Sequence, residues 1–467
     1  MPEKTRRPNI VLILIDDMGW RDLGCTGSDF YETPNIDRLA ASGTVFTQAY
    51  ATCPVCSPSR ASILTGKYPA SVGITEWIGG NNHGRLTGAP YRRKLSTEEV
   101  TVAKALHAGG YRTWHVGKWH LGGPGSYPED HGFEVNIGGY EAGWPEGGYF
   151  APYENPRLPD GPTGEYLTDR LTDEAIRLVR GNRDRPFFLN LWHYTVHTPI
   201  EGKPDLVAKY EAKAEKLGLD RMEALKQGEP FSFVEKRDKY IVRRLIQSDP
   251  GYAAMVENLD ENVGRLVRAL EESGQADDTV IVFTSDNGGL ATAEGSPTTN
   301  LPLREGKGWM EEGGTRVPLS VTWPGRAKAG ARCAAPVTGA DLFPTFLEAA
   351  GLPLLPVQHR DGMSILPLIR GAERLGREAV FWHYPHYSNQ GGTPGSSIRA
   401  GDLKLIEFFE TGKLELYDLA ADPEEKRDLA PADPGTSRRL HGMLKEWRKS
   451  AGARLPEPNP DYHMRQA

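Results

Sequence analysis

Asn9-Ile10-Val11-Leu12-Ile13-Leu14-Ile15-Asp16-Asp17 is a continuous apolar, largely β-branched run that stops on two carboxylates. A strand with one face in water alternates apolar and polar residues. This run does not, so it reads as a central parallel strand covered on both faces. Open parallel sheets bind ligands beyond the carboxyl ends of their strands, and Asp16 and Asp17 fall at such an end. Taken alone, an Asp-Asp pair is a helix cap or a turn. Where strand gives way to loop, both side chains can also turn toward one ion.

Outward from this strand, strand and helix patterns alternate. Thr33-Pro34 opens a helix, with Thr as N-cap and Pro in the first turn, that runs to Gly43. Residues 45–51 are β-leaning. Ser96-Thr97-Glu98-Glu99 has the capping-box pattern and predicts a helix stopping near Gly109-Gly110. Residues 111–116, 186–194 and 279–284 read as buried strands, and 166–180 and 252–274 as helices. Residues 122–164, rich in Gly, Pro and aromatics, read as an ordered surface excursion. The highly charged 203–244 segment reads as a helical insertion or lid. The alternation predicts an α/β fold with a large, mostly parallel mixed sheet sandwiched by helices. After a helix over 341–350 the pattern changes: 403–409 and 413–418 read as antiparallel hairpin strands and 437–449 as an amphipathic helix. We expect an N-terminal catalytic domain over residues 1–360 and a smaller C-terminal α+β domain over 361–467, carrying an antiparallel sheet.

Composition excludes several classes. The 467 residues are 25% charged and 38% hydrophobic, ordinary for a globular protein, and a formal net charge of −7 argues against non-specific nucleic-acid binding. Arg6-Arg7 ahead of the first strand imitates a signal peptide, but the apolar run is short, ends in two aspartates and lacks a small-residue cleavage site. No stretch reaches the apolar length of a membrane span. The chain as given reads as soluble and cytoplasmic, or as periplasmic or secreted if a leader has been removed.

Further polar clusters follow the other predicted strands. Asp286-Asn287 comes after 279–284, and with Asp16-Asp17 it makes a hard-cation site for Ca2+ or Mg2+, the Asn oxygen sparing one negative charge. Lys118 and His120 follow 111–116, His197 follows 186–194, and Lys307 stands between Gly306 and Gly308. Each alone is surface decoration or a turn. Together they bring cations and a divalent-ion site to one sheet edge, an arrangement suited to an oxyanion ester.

Four cysteines, Cys25, Cys53, Cys56 and Cys333, are too few for a disulfide scaffold. Cys56, in Cys56-Ser57-Pro58-Ser59-Arg60, has the alternatives of nucleophile, metal ligand, disulfide half and core residue. Cys53 and Cys56 form C-x-x-C, but no second pair supports a zinc site; a redox pair stays open. Arg60 is a planar cation suited to an oxyanion, yet the spacing of a cysteine phosphatase loop is absent.

Cys56-Ser57-Pro58-Ser59-Arg60 resembles the C-x-P-x-R signature of the sulfatases, within the alkaline phosphatase-like superfamily. The resemblance extends to the opening strand through Asp17, to G-K-W-H-L-G around Lys118, to H-T-P at His197 and to S-D-N-G-G at Asp286. It continues through G-G-T-R-V-P at Arg316, D-G-M-S-I-L-P-L from Asp361 and E-L-Y-D-L-A-A-D-P near the C-terminus, and so covers almost the whole chain. No catalytic motif departs from the pattern.

The resemblance implies that a formylglycine-generating enzyme converts Cys56 to formylglycine (3-oxoalanine), reading Pro58 and Arg60 as part of its signal. One hydroxyl of the hydrated aldehyde attacks sulfur, and the second lets the sulfated intermediate collapse. It further implies that Asp16, Asp17, Asp286, Asn287 and modified Cys56 bind the Ca2+ or Mg2+ ion. Arg60 and Lys118 then orient the diol and sulfate, His120 serves as base, and His197, with Lys307, protonates the leaving oxygen. The substrate implied is a sulfated carbohydrate of galactose or N-acetylgalactosamine type, or an aryl sulfate. Trp77 and His383 are the candidates for sugar contacts, with a domain interface as the alternative for Trp382-His383-Tyr384-Pro385-His386. The rival readings are a phosphodiesterase or phosphonate monoester hydrolase of the same superfamily, a catalytically inactive carbohydrate-binding relative, and a C-x-x-C redox protein.

Overall fold

The computed structural model describes residues 7–462; Arg6 of the Arg6-Arg7 pair lies outside them. Strand Asn9–Ile15 is buried along its whole length and pairs in parallel with Thr279–Ser285 on one side and Phe187–Trp192 on the other. Arg112–Gly117 and then Val135–Ile137 continue the parallel set outward. Beyond Thr279–Ser285, the strand Leu319–Thr322 is antiparallel and leads to Thr44–Phe46 and Ala331–Cys333, completing an eight-stranded mixed sheet.

Alternate side chains of the first strand enter different cores, as a period of two requires. Val11, Ile13 and Ile15 pack with helices Leu167–Gly181 and Pro250–Glu272, whereas Ile10, Leu12 and Leu14 pack with Cys56–Thr65, Val102–Ala108 and Leu342–Ala349. Each such aliphatic side chain contributes roughly 1.5–3 kcal/mol by leaving water. This double burial is why the opening run lacks a polar face.

The C-terminal part is a four-stranded antiparallel sheet, Val380–Tyr384, Gly395–Ala400, Leu403–Phe408 and Lys413–Asp418, in chain order. Ile398, Leu405 and Leu416 of this sheet pack on Leu440 and Leu444 of helix Pro434–Ala451. Its other face is joined to loops of the N-terminal part through buried polar contacts. Lys404 Nζ lies 3.0 Å from Glu312 and 2.9 Å from Glu425, Glu425 accepts the Glu312 N–H at 2.8 Å, and Arg304 donates to the Glu425 carbonyl at 2.7 Å. Trp382 donates to Ala51 O at 2.8 Å.

Three local expectations need correction. The 203–244 segment is α-helical only over Pro204–Leu217, with short 3-10 turns at Leu219–Arg221 and Val234–Lys236. It turns at Gly218, which takes a left-handed φ of 71°, and returns as a hairpin of Leu225–Pro230 with Tyr240–Arg244. Ser96–Glu99 forms a turn, not a helix start; the helix begins at Val102, where Thr101 accepts the Lys104 N–H at 3.1 Å. The helix after Thr33 ends at Ala41, and Thr33 occupies the N-cap position without a side-chain capping bond. Among the described residues, no helix is long and apolar enough to cross a membrane.

Candidate active site

The parallel strands end at one edge, and the edge carries the site. Asp16 and Asp17 follow Ile15, Asp286 and Asn287 follow Ser285, and Lys118 follows Gly117. All five are buried. Asp16, Asp17 and Asp286 each offer a carboxylate oxygen within 4.8 Å of the others. Asp17 and His120 adopt left-handed backbone conformations, φ 63° and 55°. That region costs a non-glycine residue roughly 1–2 kcal/mol, and such outliers cluster at functional sites.

Cys56 is the first residue of helix Cys56–Thr65, every residue of which is buried. The helix places the free backbone N–H groups and positive dipole end at position 56, a natural anion site. One turn in, Arg60 lies over the Trp192 ring at 5.0 Å and reaches Asp286 at 2.7 Å and Asp16 at 3.3 Å. Lys118 contacts Asp16 at 2.6 Å, and Lys307 contacts Asp17 at 2.7 Å.

Two histidines face this cluster with defined tautomers. His120 Nε2 lies 3.1 Å from the Ile78 carbonyl, which can only accept, so Nδ1 keeps its lone pair 3.3 Å from Cys56 Sγ. His197 Nδ1 likewise donates to the Thr198 carbonyl at 2.8 Å, leaving Nε2 to accept from Lys307 at 3.1 Å. Burial and Lys307 push His197 down to about 3, and burial and Lys118 lower His120 as well. Burial raises the Cys56 thiol, against the pull of Lys118. An unmodified thiol here is held protonated and poorly nucleophilic.

The carboxylates bear on metal binding. Burial, with Asp286 and Asp17 adding to it, pushes Asp16 up to about 8 despite Lys118 and Arg60. At Asp17 burial also opposes ionisation, but Lys307 and His197 win and lower it. Asn287 Oδ1 is buried without a hydrogen-bond partner, and Asp16 Oδ1 has only the 3.3 Å contact with Arg60. Three carboxylates and an amide oxygen, converging with that unpartnered oxygen, fit a hard cation such as Ca2+ or Mg2+.

Above the cluster is a cavity of about 430 Å³ walled by Cys56, His120, His197, Lys307, Trp77 and Trp144, with Glu294, Asn389 and Gln390 at its side. Trp77 is where the sequence reading put it. His383 is not. It is 2% exposed, its ring nitrogens lie 2.6 Å from Ser396 Oγ and 2.8 Å from Arg454 O, and it faces away from the cavity. Strand alternation explains this: Trp382 and Tyr384 face the large domain, so His383 between them cannot. The aromatic run is thus an interface, with Tyr384 bonded to Glu76 at 2.8 Å and His386 to Thr75 at 2.9 Å. Trp144, Glu294, Asn389 and Gln390 were not foreseen. The Gly-Pro-aromatic composition around Trp144 was the only signal for any of them. Cys53 and Cys56 are both free thiols.

A doubly covered parallel sheet with acidic and basic side chains at adjacent strand ends is the architecture of the alkaline phosphatase-like hydrolases. The Sulfatase family model matches residues 8–352, and the N-sulphoglucosamine sulphohydrolase C-terminal model matches residues 306–450. The chain belongs to the sulfatase family and is a sulfuric ester hydrolase. It is 31% identical to a sulfatase of Formosa agariphila, over 95% of this chain and 89% of that one. It is 32% identical to human N-acetylgalactosamine-6-sulfatase, over 80% and 68%. The solved structure of Ps i-CgsB in complex with k-i-k-neocarrahexaose superposes with a TM-score of 0.75 at 30% identity, covering 95% of this chain and 93% of that one.

Proposed function

We propose that this sulfatase removes sulfate from a carbohydrate of galactose or N-acetylgalactosamine type, with formylglycine made from Cys56 by a formylglycine-generating enzyme as nucleophile. The observation that carries this reading is the cavity itself: residue 56 lies among cations at its base, and Trp77 and Trp144 stand at its rim. Aromatic faces suit the apolar face of a sugar ring. The names of two similar proteins, one an N-acetylgalactosamine-6-sulfatase and one in complex with a neocarrahexaose, support the same class. The division into a catalytic domain over 1–360 and a C-terminal subdomain over 361–467 is part of this reading.

Asp16, Asp17, Asp286 and Asn287 would hold Ca2+ or Mg2+, which supplies positive charge to acidify a bound hydroxyl and polarise the sulfate. The hydrated aldehyde supplies one hydroxyl for attack and another for release of sulfate. Arg60 and Lys118, anchored on Asp286 and Asp16, orient the group at position 56 and the sulfuryl oxygens. His120 Nδ1, with its lone pair toward residue 56, takes the proton from the second hydroxyl. His197 acts as general acid. Before substrate enters, its Nε2 holds no proton and accepts from the Lys307 ammonium, so Nε2 would take up a proton from solvent, favoured by the negative charge of the bound sulfate, and then pass it to the leaving oxygen, with Lys307 stabilising the charge there.

Mass spectrometry of the peptide across Cys56 in active enzyme, with assays on galactose 6-sulfate, N-acetylgalactosamine 6-sulfate and 4-nitrophenyl sulfate, tests the proposal. The expected peptide has lost hydrogen sulfide and gained oxygen, and a sugar sulfate is the better substrate by kcat/KM. Full activity with an intact thiol would overturn the nucleophile. Turnover of the aryl sulfate with none of either sugar would overturn the substrate class.

A further inference from the structure

The groove does not stop at the cavity over residue 56. Glu294 walls that cavity on one side and, on its other side, a second cavity of about 370 Å³. The far wall of the second cavity comes from the 225–244 hairpin, which contributes Phe231, Lys236, Lys239 and Tyr240. Phe231 is in turn shared with a third cavity of about 370 Å³ that carries Arg85 and Arg237. The three cavities are therefore neighbours, the first and second meeting at Glu294 and the second and third at Phe231.

The ridge between the first two is a held structure. Glu294 takes a left-handed φ of 53°, and Gln390 Nε2 lies 3.2 Å from each of its carboxylate oxygens. Lys236 donates to Asn389 O at 2.8 Å and lies over the rings of Phe231 and Phe233. Asn389 and Gln390 also line the reaction cavity. The rim of the first cavity and the cations of the second thus form one hydrogen-bonded unit. Lys239 and Tyr240 are exposed at its mouth.

The chemistry changes from one cavity to the next. Cations surround residue 56, a carboxylate follows at Glu294, cations and aromatic rings follow at Lys236, Lys239, Phe231 and Tyr240, and more cations lie beyond. A carboxylate ridge accepts hydrogen bonds from hydroxyls and repels anions, whereas lysines with one exposed ring, Tyr240, beside them take an anionic group attached to a ring. We infer that the second cavity is a subsite for the neighbouring residue of a sulfated oligosaccharide, whose own anionic group pairs with Lys236 and Lys239 while its hydroxyls bond to Glu294. This rests on the carbohydrate reading given above.

The test compares kcat/KM on a sulfated galactan hexasaccharide with that on galactose 6-sulfate, for wild type, Lys239→Gln and Lys239→Glu. Lys239 is exposed, so neither substitution disturbs packing. The hexasaccharide-to-monosaccharide ratio is expected to fall about threefold in Lys239→Gln and about tenfold in Lys239→Glu, through KM, with the differences shrinking at high salt. A ratio unchanged in both variants, while wild type turns over both sugars, would overturn the subsite and leave the carbohydrate reading standing. Turnover of 4-nitrophenyl sulfate with neither sugar cleaved by wild type would overturn both.

Discussion

Asp16, Asp17, Asp286, Lys118 and Arg60 are wholly buried and spring from strand ends or from the helix beside them, whereas Trp77, Trp144, Glu294 and Gln390 come from four separate loops, with Trp144 and Glu294 exposed. The first group is positioned by the parallel register of the sheet, which a single side chain cannot shift without disturbing two packed cores. The second is positioned by local turns and side-chain bonds such as Gln390 to Glu294. On the proposed function, the base of the cavity is where the reaction is decided and the rim is where the substrate is selected. Substitutions below should act on kcat and those above on KM.

Lys307→Gln gives the largest expected effect. Losing a cation from the base should lower kcat about 10²–10³-fold with little change in KM. A rise in KM with kcat intact would erase the distinction between base and rim. Trp144→Ala is expected to raise KM for a sugar sulfate about three- to tenfold while kcat holds, as removal of one aromatic contact predicts. Steady-state kinetics on both variants decide the matter.

A third comparison concerns stability, at the seam between the two. Burial raises the Glu76 carboxyl from 4.5 to about 8, only partly offset by bonds from Tyr384 and the Trp77 N–H. Between those values the folded protein keeps a proton that the unfolded chain has released. The stabilisation is thus fully present below pH 4.5 and is lost as pH rises through 8. Glu76→Gln keeps an acceptor for both bonds and removes the titration. Unfolding free energies from urea titrations at pH 5 and pH 8 should therefore differ less in the variant, by up to a few kcal/mol at about 1.4 kcal/mol per pH unit. Equal slopes for the two proteins would show that Glu76 does not carry the dependence.

The base of the site was legible because each of its parts sits next to a strand readable by itself: Asp16 after an unbroken apolar run, Asp286 after another, Lys118 after a third. The rim was not. Glu294 and Gln390 are far apart in the chain and meet only in the folded molecule, and neither has a local pattern that marks it. His383 shows the limit from the other side. Its neighbours in the chain are aromatic and suited to a sugar, but only strand pairing reveals which face of Val380–Tyr384 each residue takes. The Cys56–Thr65 helix was not legible, because Pro58 and the serines around it break its apolar pattern.

Lys404 and Glu425 grip Glu312 and, with Arg304, the two ends of the loop that carries Lys307. The C-terminal family match begins at residue 306, inside that same loop. The final part of the chain is therefore not a cassette that can be exchanged between relatives at the seam of its sheet. A graft that brings in a new antiparallel sheet must carry the 304–316 loop with it, or the lysine at the reaction centre loses its anchor. Ancestry and engineering face the same constraint: the two parts of this sulfatase have to be inherited together.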